Sequence, residues 1–286
     1  MDYGGLVRRA LDVMWKFKYL WIFGFFLEFG SGTGGWFGNA PEKIKLPVGD
    51  FISGALVGAI IFLVLVGLLI FLVFLIMYLI SQGGLIHCVW KIESGEKPTL
   101  RDGWNAGVGN FWRILGISVL IIVFILASAV ITLGPFVALI IGFKVLGLLA
   151  GLVLFPVFLV LLITLILVDL YAKRTCIIEG RGVFDSLSGG WEMLKSNLGS
   201  SLVMGLIGIG STMVYVLGFV IVGLLLALPF VALGFINLLL GISLGVIVGL
   251  VYIGLASAMW GTYIDSLWTM AYMDMKKLQL QTATPS

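Results

Sequence analysis

The side chain best placed to do chemistry is Glu28, because it lies in an apolar segment that could enter a membrane. The segment from Tyr19 to Gly38 is apolar apart from this carboxylate and contains six glycines. A helix that continues from Lys18 would place Glu28 about 15 Å inward, near the middle of a bilayer. Glycines from Gly30 and Gly32 onward would break that helix. Many transporters build their midplane sites in broken spans, so these three residues form a candidate intramembrane polar site.

The alternative for Glu28, which the sequence alone favours, is a short first span followed by an outer loop. In that case the carboxylate is hydrated or pairs with Lys43 or Lys45, and the glycines are ordinary loop residues. The glycine run lacks the Gly-Lys-Ser/Thr ending of a phosphate-binding loop, so it does not indicate nucleotide binding.

Three further polar residues end apolar segments at corresponding positions. Asp169 and Asp265 lie 18 and 20 residues after Gly151 and Gly245, which is about 27 and 30 Å along a helix, or one hydrocarbon thickness. Gln82 is their looser counterpart in the first hairpin. These residues are a candidate cytoplasmic mouth of a pathway. Solvated helix ends, or hydrogen bonds to neighbouring interfacial helices, are the simpler interpretation and the one that the sequence favours.

Residue patterns for catalysis or metal binding are lacking. The single histidine, His87, lies beside Cys88, and this pair supplies too few ligands for a metal site. No serine has a nucleophile-elbow pattern, and no carboxylates have metal-binding helical spacing. We therefore expect a protein that is not an enzyme and has no catalytic residue, metal or cofactor. Cys88 and Cys176 lie near the expected cytoplasmic face, where thiols stay reduced.

The elements that must position these residues follow from the composition. Hydrophobic residues make up 61% of the 286 residues and charged residues 11%, against roughly half and a quarter in a soluble domain. A soluble enzyme, a secreted disulfide-rich protein, a disordered chain and a nucleic-acid binder are excluded by this balance. The sequence predicts an all-α, polytopic integral membrane protein.

Six apolar segments are long enough to span a bilayer, with breaks expected at Gly134-Pro135 and around Pro229 and Asn237. Six spans place both termini on one side. All lysines and arginines except Lys43, Lys45 and Lys144 fall on that side, which the positive-inside rule makes the cytoplasm. We expect a multi-pass protein of the plasma membrane, with its signal-peptide-like start retained. The spans lie near 19–38, 51–80, 113–134, 146–168, 200–228 and 241–264.

Recurring markers predict three parallel repeats. Pro-Phe-Val-Ala-Leu occurs at Pro135–Leu139 and Pro229–Leu233, glycine pairs open each even span, and a tryptophan precedes each odd span. Each repeat is an interfacial amphipathic elbow helix followed by a transmembrane hairpin. The glycine pairs suggest that the even helices meet at their outer halves. Within a single membrane domain, 1–286, the repeats are 4–92, 98–178 and 183–275, and 276–286 is a cytoplasmic tail.

The elbow helices carry basic residues on their polar faces. Such residues contribute about 1 kcal/mol each to binding an anionic membrane surface. The sequence therefore predicts contacts with lipid headgroups by Arg8, Arg9, Lys16, Arg101 and Lys195.

Two stretches, from Ile178 to Leu194 and from Trp268 to Lys276, resemble a group of prokaryotic six-span membrane proteins. The group contains the membrane domain of glycerophosphoryl diester phosphodiesterases and related uncharacterised families, and the resemblance covers nearly the whole chain. It implies a membrane module that handles or senses lipid. It implies no catalytic residues, because the activity of those enzymes belongs to a separate soluble domain.

Two functions then compete. In the first, the protein is non-catalytic and binds membrane lipids, a membrane-protein partner or a second copy of itself through its basic elbow helices; nucleic acid is not expected as a partner. The alternative is a transporter or channel for an amphipathic or small solute, with a pathway between the three repeats and Glu28 as the coupling group. A polar central cavity facing Glu28 would favour transport, and a packed dry centre would exclude it.

Overall fold

The computed structural model describes residues 1–30 and 54–283, and every regular element in these ranges is helical. Five helices are long and apolar enough to cross a membrane, so the protein is a polytopic membrane protein. A 3-10 turn, Lys18–Leu20, joins the first two helices. The helices are α1 (Tyr3–Lys16), α2 (Trp21–Gly30), α3 (Gly54–Glu93), α4 (Leu100–Gly142), α5 (Lys144–Glu179), α6 (Val183–Ser196), α7 (Leu198–Ile236) and α8 (Leu238–Ala283).

The long helices end later than the sequence predicted. α4 continues through Pro135, and the chain turns at Phe143 instead. α7 continues through Pro229, and the chain turns at Asn237, the second of the two residues at which the sequence predicted a break. Proline is tolerated inside membrane helices, where neighbouring groups satisfy the freed backbone. Asn237 has an extended backbone, and its side-chain oxygen accepts from the first amides of α8 at 3.1 and 3.3 Å. A side-chain cap therefore starts α8, and the predicted breaks at the two prolines are wrong.

Two of the three predicted elbows are separate helices, α1 and α6, each with one buried face. The second is not, because residues 100–112 form the first turns of the continuous helix α4. Thr99 and Asp102 start α4 with a capping box, in which the Thr99 amide donates to Asp102 at 2.8 Å and the Asp102 amide donates to Thr99 at 3.3 Å. No helix breaker follows this cap. The prediction of a separate second elbow helix is therefore wrong.

Glycines in the first turns of α4 have a packing role. A Cβ on Gly84 of α3 would lie 2.7 Å from the carbonyl oxygen of Gly103 of α4. A Cβ on Gly83 would lie 3.0 Å from Cα of Gly107. Because neither helix has a side chain here, the two backbones approach closely.

A second close crossing joins α2 to α8. A Cβ on Gly24 would lie 2.6 Å from the amide nitrogen of Thr262, and a Cβ on Gly261 would lie 3.0 Å from the carbonyl carbon of Gly24. The Thr262 hydroxyl also donates to the Leu20 carbonyl at 3.1 Å. This crossing lays α2 on α8 and brings Glu28 against Gly261, where a Cβ would lie 3.1 Å from its Cγ.

The helix contacts of the described residues follow a cyclic order. The helices of each hairpin contact each other: α2 with α3, α4 with α5, and α7 with α8. Each hairpin also contacts the next unit, through α3 with α4 and α5 with α6, and α8 returns to α1 and α2. The second helices of the three hairpins, which correspond to the even spans and which we call the even helices (α3, α5 and α8), also contact one another.

The glycine pairs do not join the even helices. A Cβ on Gly151 would meet Phe136 of α4, and a Cβ on Gly245 would lie 3.2 Å from Phe230 of α7. Both glycines therefore pack against the odd helix of their own hairpin, and Gly58 has nothing within 4 Å. The prediction that these glycines bring the even helices together is wrong.

Most buried side chains lie at one end of the molecule, which we call the core end. Arg9 of α1 binds Glu93 at the end of α3 and Asp274 near the end of α8. Lys276 of α8 binds Glu179 at the end of α5. These contacts bring together the helix ends around Arg9, Glu93, Glu179 and Lys276, whose lysines and arginines the sequence assigned to one side of the membrane. The rest of the long helices exposes apolar side chains, as lipid-facing helices do, among them Leu63, Leu152, Val214 and Leu239.

Candidate functional site

A polar cavity of about 250 Å³ lies where α2, α3, α5 and α8 come together. This volume corresponds to about eight water molecules at roughly 30 Å³ each, or to a small organic solute. Tyr78, Ile166 and Trp268 supply part of its wall. Its polar lining consists of Glu28, Gln82, Asp169, Arg174 and Asp265.

Glu28 reaches this cavity from a helix. It lies in α2, one turn after Gly24, whose close contact with α8 fixes the approach of the two helices. The structure therefore does not place Glu28 in an outer loop, which was the interpretation that the sequence favoured. Gly30 ends the described part of α2, and Gly32 lies outside the described residues.

The three residues of the predicted cytoplasmic mouth line the same cavity. Gln82, Asp169 and Asp265 come from the three even helices, one from each. The sequence treated them as a site separate from Glu28, and the structure merges the two. Each aspartate forms an ion pair with a basic side chain of α5. The interpretation of the two aspartates as solvated helix ends, or as partners of an elbow helix, is therefore wrong.

Arg174 is the cavity residue that the sequence analysis missed. Its Nη2 donates to Asp265 Oδ1 at 2.6 Å and to the Asp265 carbonyl at 3.2 Å, while Nη1 donates to the Leu170 carbonyl at 2.8 Å. The side chains of the pair are 3% and 12% exposed. Arg174 thus links α5 to α8. From the sequence alone, Arg174 is only one of the many lysines and arginines assigned to the cytoplasmic side.

Lys173 holds the other aspartate. Its Nζ lies 2.6 Å from Asp169 Oδ2, and the lysine side chain is 5% exposed. The two residues are four positions apart on α5, which is the spacing of an ion pair within a helix. In the sequence, this four-residue spacing is the pattern from which the ion pair between Asp169 and Lys173 could have been predicted.

The wall of the cavity has polar atoms left over after these pairings. Within the part of the chain that the structure describes, Gln82 Oε1, Asp169 Oδ1, Asp265 Oδ2 and Arg174 Nε are buried and have no hydrogen-bond partner. A buried polar atom without a partner costs free energy.

A second polar cavity of about 570 Å³ lies at the core end beside α6. Glu179 is the carboxylate that links the polar groups of this cavity. It binds Lys276, its Oε2 lies 2.8 Å from Arg181 Nε, and it accepts a hydrogen bond from the Tyr272 hydroxyl at 2.5 Å. Lys195 of α6 also lines this cavity. In the ranges described, Lys195 has no ion-pair partner.

Arg9 differs from the other predicted headgroup contacts. Its Nη2 lies 2.5 Å from Asp274 Oδ2, and its Nη1 binds Glu93. Burial lowers the pKa of the Arg9 guanidinium, but hydrogen bonds and charge from Asp274 and Glu93 outweigh this and raise the pKa above its ordinary value. Arg9 is thus a permanent cation that joins helix ends. The remaining predicted contacts are exposed: Arg8, Lys16, Arg101 and Lys195.

The residues considered for metal binding are not brought together. His87 packs beside the ring of Trp90, with 5.6 Å between ring centroids. Cys88 and Cys176 are buried free thiols. Across 1–30 and 54–283, no group of three His, Cys, Asp or Glu side chains has a geometry that could hold a metal ion.

Comparison with known proteins gives a family without an assigned activity. Residues 14–273 match the model of a family of unknown function, DUF7544. No curated protein and no solved structure matches the chain. The resemblance to the membrane domain of glycerophosphoryl diester phosphodiesterases stays a prediction. Because the family match runs from the end of α1 to near the end of α8, the chain belongs to the DUF7544 family.

Proposed function

We propose that this protein is a transporter or channel for a small polar solute, with the polar cavity as its solute site. The observation that carries this proposal is the convergence of Glu28, Asp169 and Asp265 on one cavity between α2 and three helices that can span a membrane. The sequence offers this function as the alternative to lipid binding. A polar cavity facing Glu28 was the feature by which we expected to recognise it.

The cost of such a cavity supports a functional role. Ionisable side chains among membrane helices are expensive and usually mark pathways for substrates or ions. A pair such as Arg174 and Asp265 contributes little net stability, since desolvation of both charges offsets their attraction. Packing alone would be served better by apolar residues of similar size. Charges retained in the wall of a cavity among such helices are typical of a solute site.

The cyclic order of helix contacts supports a pathway between three units. It is the order expected for three consecutive hairpins around an axis. The 40 residues of α3 make it about 60 Å long. α3 ends beside α1, so its start at Gly54 lies far from the start of α2. We propose that the chain crosses the membrane six times, as the sequence predicts, and that five of these crossings are the long apolar helices α3, α4, α5, α7 and α8.

Thiol labelling tests whether the cavity opens to water. We expect Gln82→Cys to react with a small membrane-impermeant methanethiosulfonate reagent on intact cells or vesicles. Ile117→Cys, a fully buried position in the core, is the matched control and should not react. The native cysteines, both buried, are replaced by serine in both variants. Absence of labelling at Gln82→Cys from either side of the membrane would contradict a solute pathway.

A second function, binding of anionic lipid by the elbow helices, has its own support. α1 and α6 bury one face and expose Trp15 and Trp191, which are 54% and 51% exposed. Tryptophans of this kind sit at membrane interfaces. Lys16 and Lys195 lie on the same helices and are exposed. We propose that this end faces the cytoplasm at the plasma membrane and that the protein is not an enzyme.

Mass spectrometry of co-purified lipids tests the lipid function. We expect anionic lipids to be enriched over the surrounding membrane, and the enrichment to fall when Arg8 and Lys195 are both changed to glutamine. A matched control changes Lys97 to glutamine, because this residue lies in the connection between α3 and α4 rather than on a separate elbow helix. Absence of anionic-lipid enrichment in the wild-type protein would contradict lipid binding.

A further inference from the structure

We propose that the second polar cavity, at the core end, binds a phosphate group that belongs either to a membrane lipid or to a water-soluble compound. In its lipid form this inference rests on the second function proposed above, and it names the site and the chemical group that is bound. The cavity has a wall of its own, formed by α6, the end of α5 with the turn that follows it, and the last turns of α8.

The turn after α5 brings Arg181 against α6. α5 ends at Glu179, and Gly180 has a φ of 69°, a left-handed conformation that glycine adopts without strain. Arg181 Nε lies 2.8 Å from Oε2 of Glu179. A Cβ on Gly189 of α6 would lie 3.3 Å from Arg181 Nη1. The guanidinium therefore fits against α6 because position 189 has no side chain.

Two further cations come from two other helices. Lys276 of α8 contacts Oε1 of Glu179, and Lys195 of α6 lines the same cavity. Glu179 thus holds Arg181 with one oxygen and Lys276 with the other, which fixes both cations in the wall. Basic side chains from three segments of the chain consequently line one volume.

The donors of these side chains are accessible to a ligand. The side chains of Arg181 and Lys276 are 46% and 33% exposed, and Lys195 is exposed. In the stretches that the structure describes, neither Nη group of Arg181 donates a hydrogen bond, and Lys195 has no ion-pair partner. The Nη groups of a guanidinium match two oxygens of a phosphate, and an ammonium group adds a compact positive charge.

The charge of the wall favours an anion. Glu192, which is exposed, is the other carboxylate among the described lining residues. Three cations and two carboxylates leave one positive charge, which a singly charged phosphodiester neutralises. The volume of about 570 Å³ is many times the roughly 30 Å³ of a water molecule, so a phosphate fits together with the group that carries it.

Two sources of phosphate reach this position. α6 exposes Trp191, which is typical of a helix at a membrane interface, and lipid headgroups lie at that level. Water-soluble phosphate compounds reach the same interface from the adjoining solution. The experiment therefore has one arm for each source.

Binding to the purified full-length protein tests the inference. In the first arm, native mass spectrometry measures retention of phosphatidylglycerol and phosphatidylcholine from mixed micelles that contain equal amounts of both. In the second, calorimetry measures binding of inorganic phosphate in an uncharged detergent. We expect preferential retention of phosphatidylglycerol, which assigns a lipid headgroup, or binding of phosphate, which assigns a soluble ligand. The double variant Arg181→Gln with Lys195→Gln should weaken that binding by about tenfold or more, since it removes two charge-assisted contacts.

Two further variants are controls, and an unchanged unfolding midpoint shows that each variant is folded. Lys195→Arg keeps the positive charge and should bind as the wild type does. Lys277→Gln removes an exposed lysine next to Lys276 that does not line the cavity, so it should also leave binding unchanged.

Absence of binding in both arms, or full binding in the folded double variant, would overturn the inference. If anionic lipid is enriched and the enrichment falls with Arg8→Gln but not with the double variant, the phosphate site is refuted while lipid binding by the elbow helices stands. Phosphate binding that the double variant weakens, without enrichment of anionic lipid, supports the site and contradicts the lipid function.

Discussion

Arg174 of α5 binds Asp265 of α8 at 2.6 Å in the wall of the polar cavity. This pair joins two of the three even helices at the point where Glu28 approaches from α2. It therefore ties the architecture of the protein to its candidate site. A change that breaks the pair should affect both the stability of the fold and the properties of the cavity.

Replacing Arg174 by leucine should destabilise the protein strongly. The variant leaves the Asp265 carboxylate buried without its cation, and losing one partner of a buried pair typically costs about 3–5 kcal/mol. The free energy of unfolding, measured by denaturant titration in micelles, checks this. The double variant Arg174→Leu with Asp265→Leu should recover most of the loss, since it removes both charges. A single variant that loses less than about 1 kcal/mol would show that the pair is not buried in the folded protein.

Replacing Gly24 by alanine should separate α2 from α8. A Cβ here would lie 2.6 Å from a backbone nitrogen, and overpacking of this kind costs about 1–3 kcal/mol. Gly205→Ala is the matched control, because it is a helical glycine with nothing within 4 Å of a new Cβ. Thermal unfolding should show a lower midpoint for Gly24→Ala and an unchanged or higher midpoint for Gly205→Ala. Equal midpoints for the two variants would contradict the close crossing.

The neighbouring arginines of α1 should behave differently. Arg9→Gln breaks contacts with Glu93 and Asp274, and because these pairs are partly exposed we expect a loss of about 1 kcal/mol of stability that shrinks at high salt. Arg8→Gln should leave stability unchanged, since Arg8 is exposed. Salt-dependent unfolding of the two variants distinguishes them. A larger loss from Arg8→Gln would contradict the placement of Arg9 between the helix ends.

Sequence patterns predicted the helical class and most of the site residues. Glu28, Gln82, Asp169 and Asp265 stand out because polar groups are rare in long apolar segments, and that rarity is visible without a structure. Their union in one cavity is not visible, since it depends on the crossing of α2 and α8 at two small residues far apart in the chain. The spacing of residues along the chain predicts how deep in the membrane a side chain lies, but it does not predict which helix the side chain faces.

The errors of the sequence analysis have a common physical origin. Pro135 and Pro229 break helices in water, but helices in membranes continue through proline. The second elbow was predicted as a separate helix, whereas its Gly103 and Gly107 are contact points between the continuous helix α4 and α3. Arg174 was counted as a surface charge because its partner lies 91 positions further along the chain. In each case the deciding interaction is tertiary.

The measurement that tests the central claim most directly is solute permeation into proteoliposomes. Stopped-flow light scattering would follow vesicle swelling with methylammonium, K⁺, acetamide or glycerol outside, for the wild type and for Glu28→Gln. We predict that the wild type admits at least one of these solutes tenfold faster than protein-free vesicles and that Glu28→Gln removes most of this increase. Swelling rates equal to those of protein-free vesicles for every solute, or unchanged rates in folded Glu28→Gln, would contradict the account.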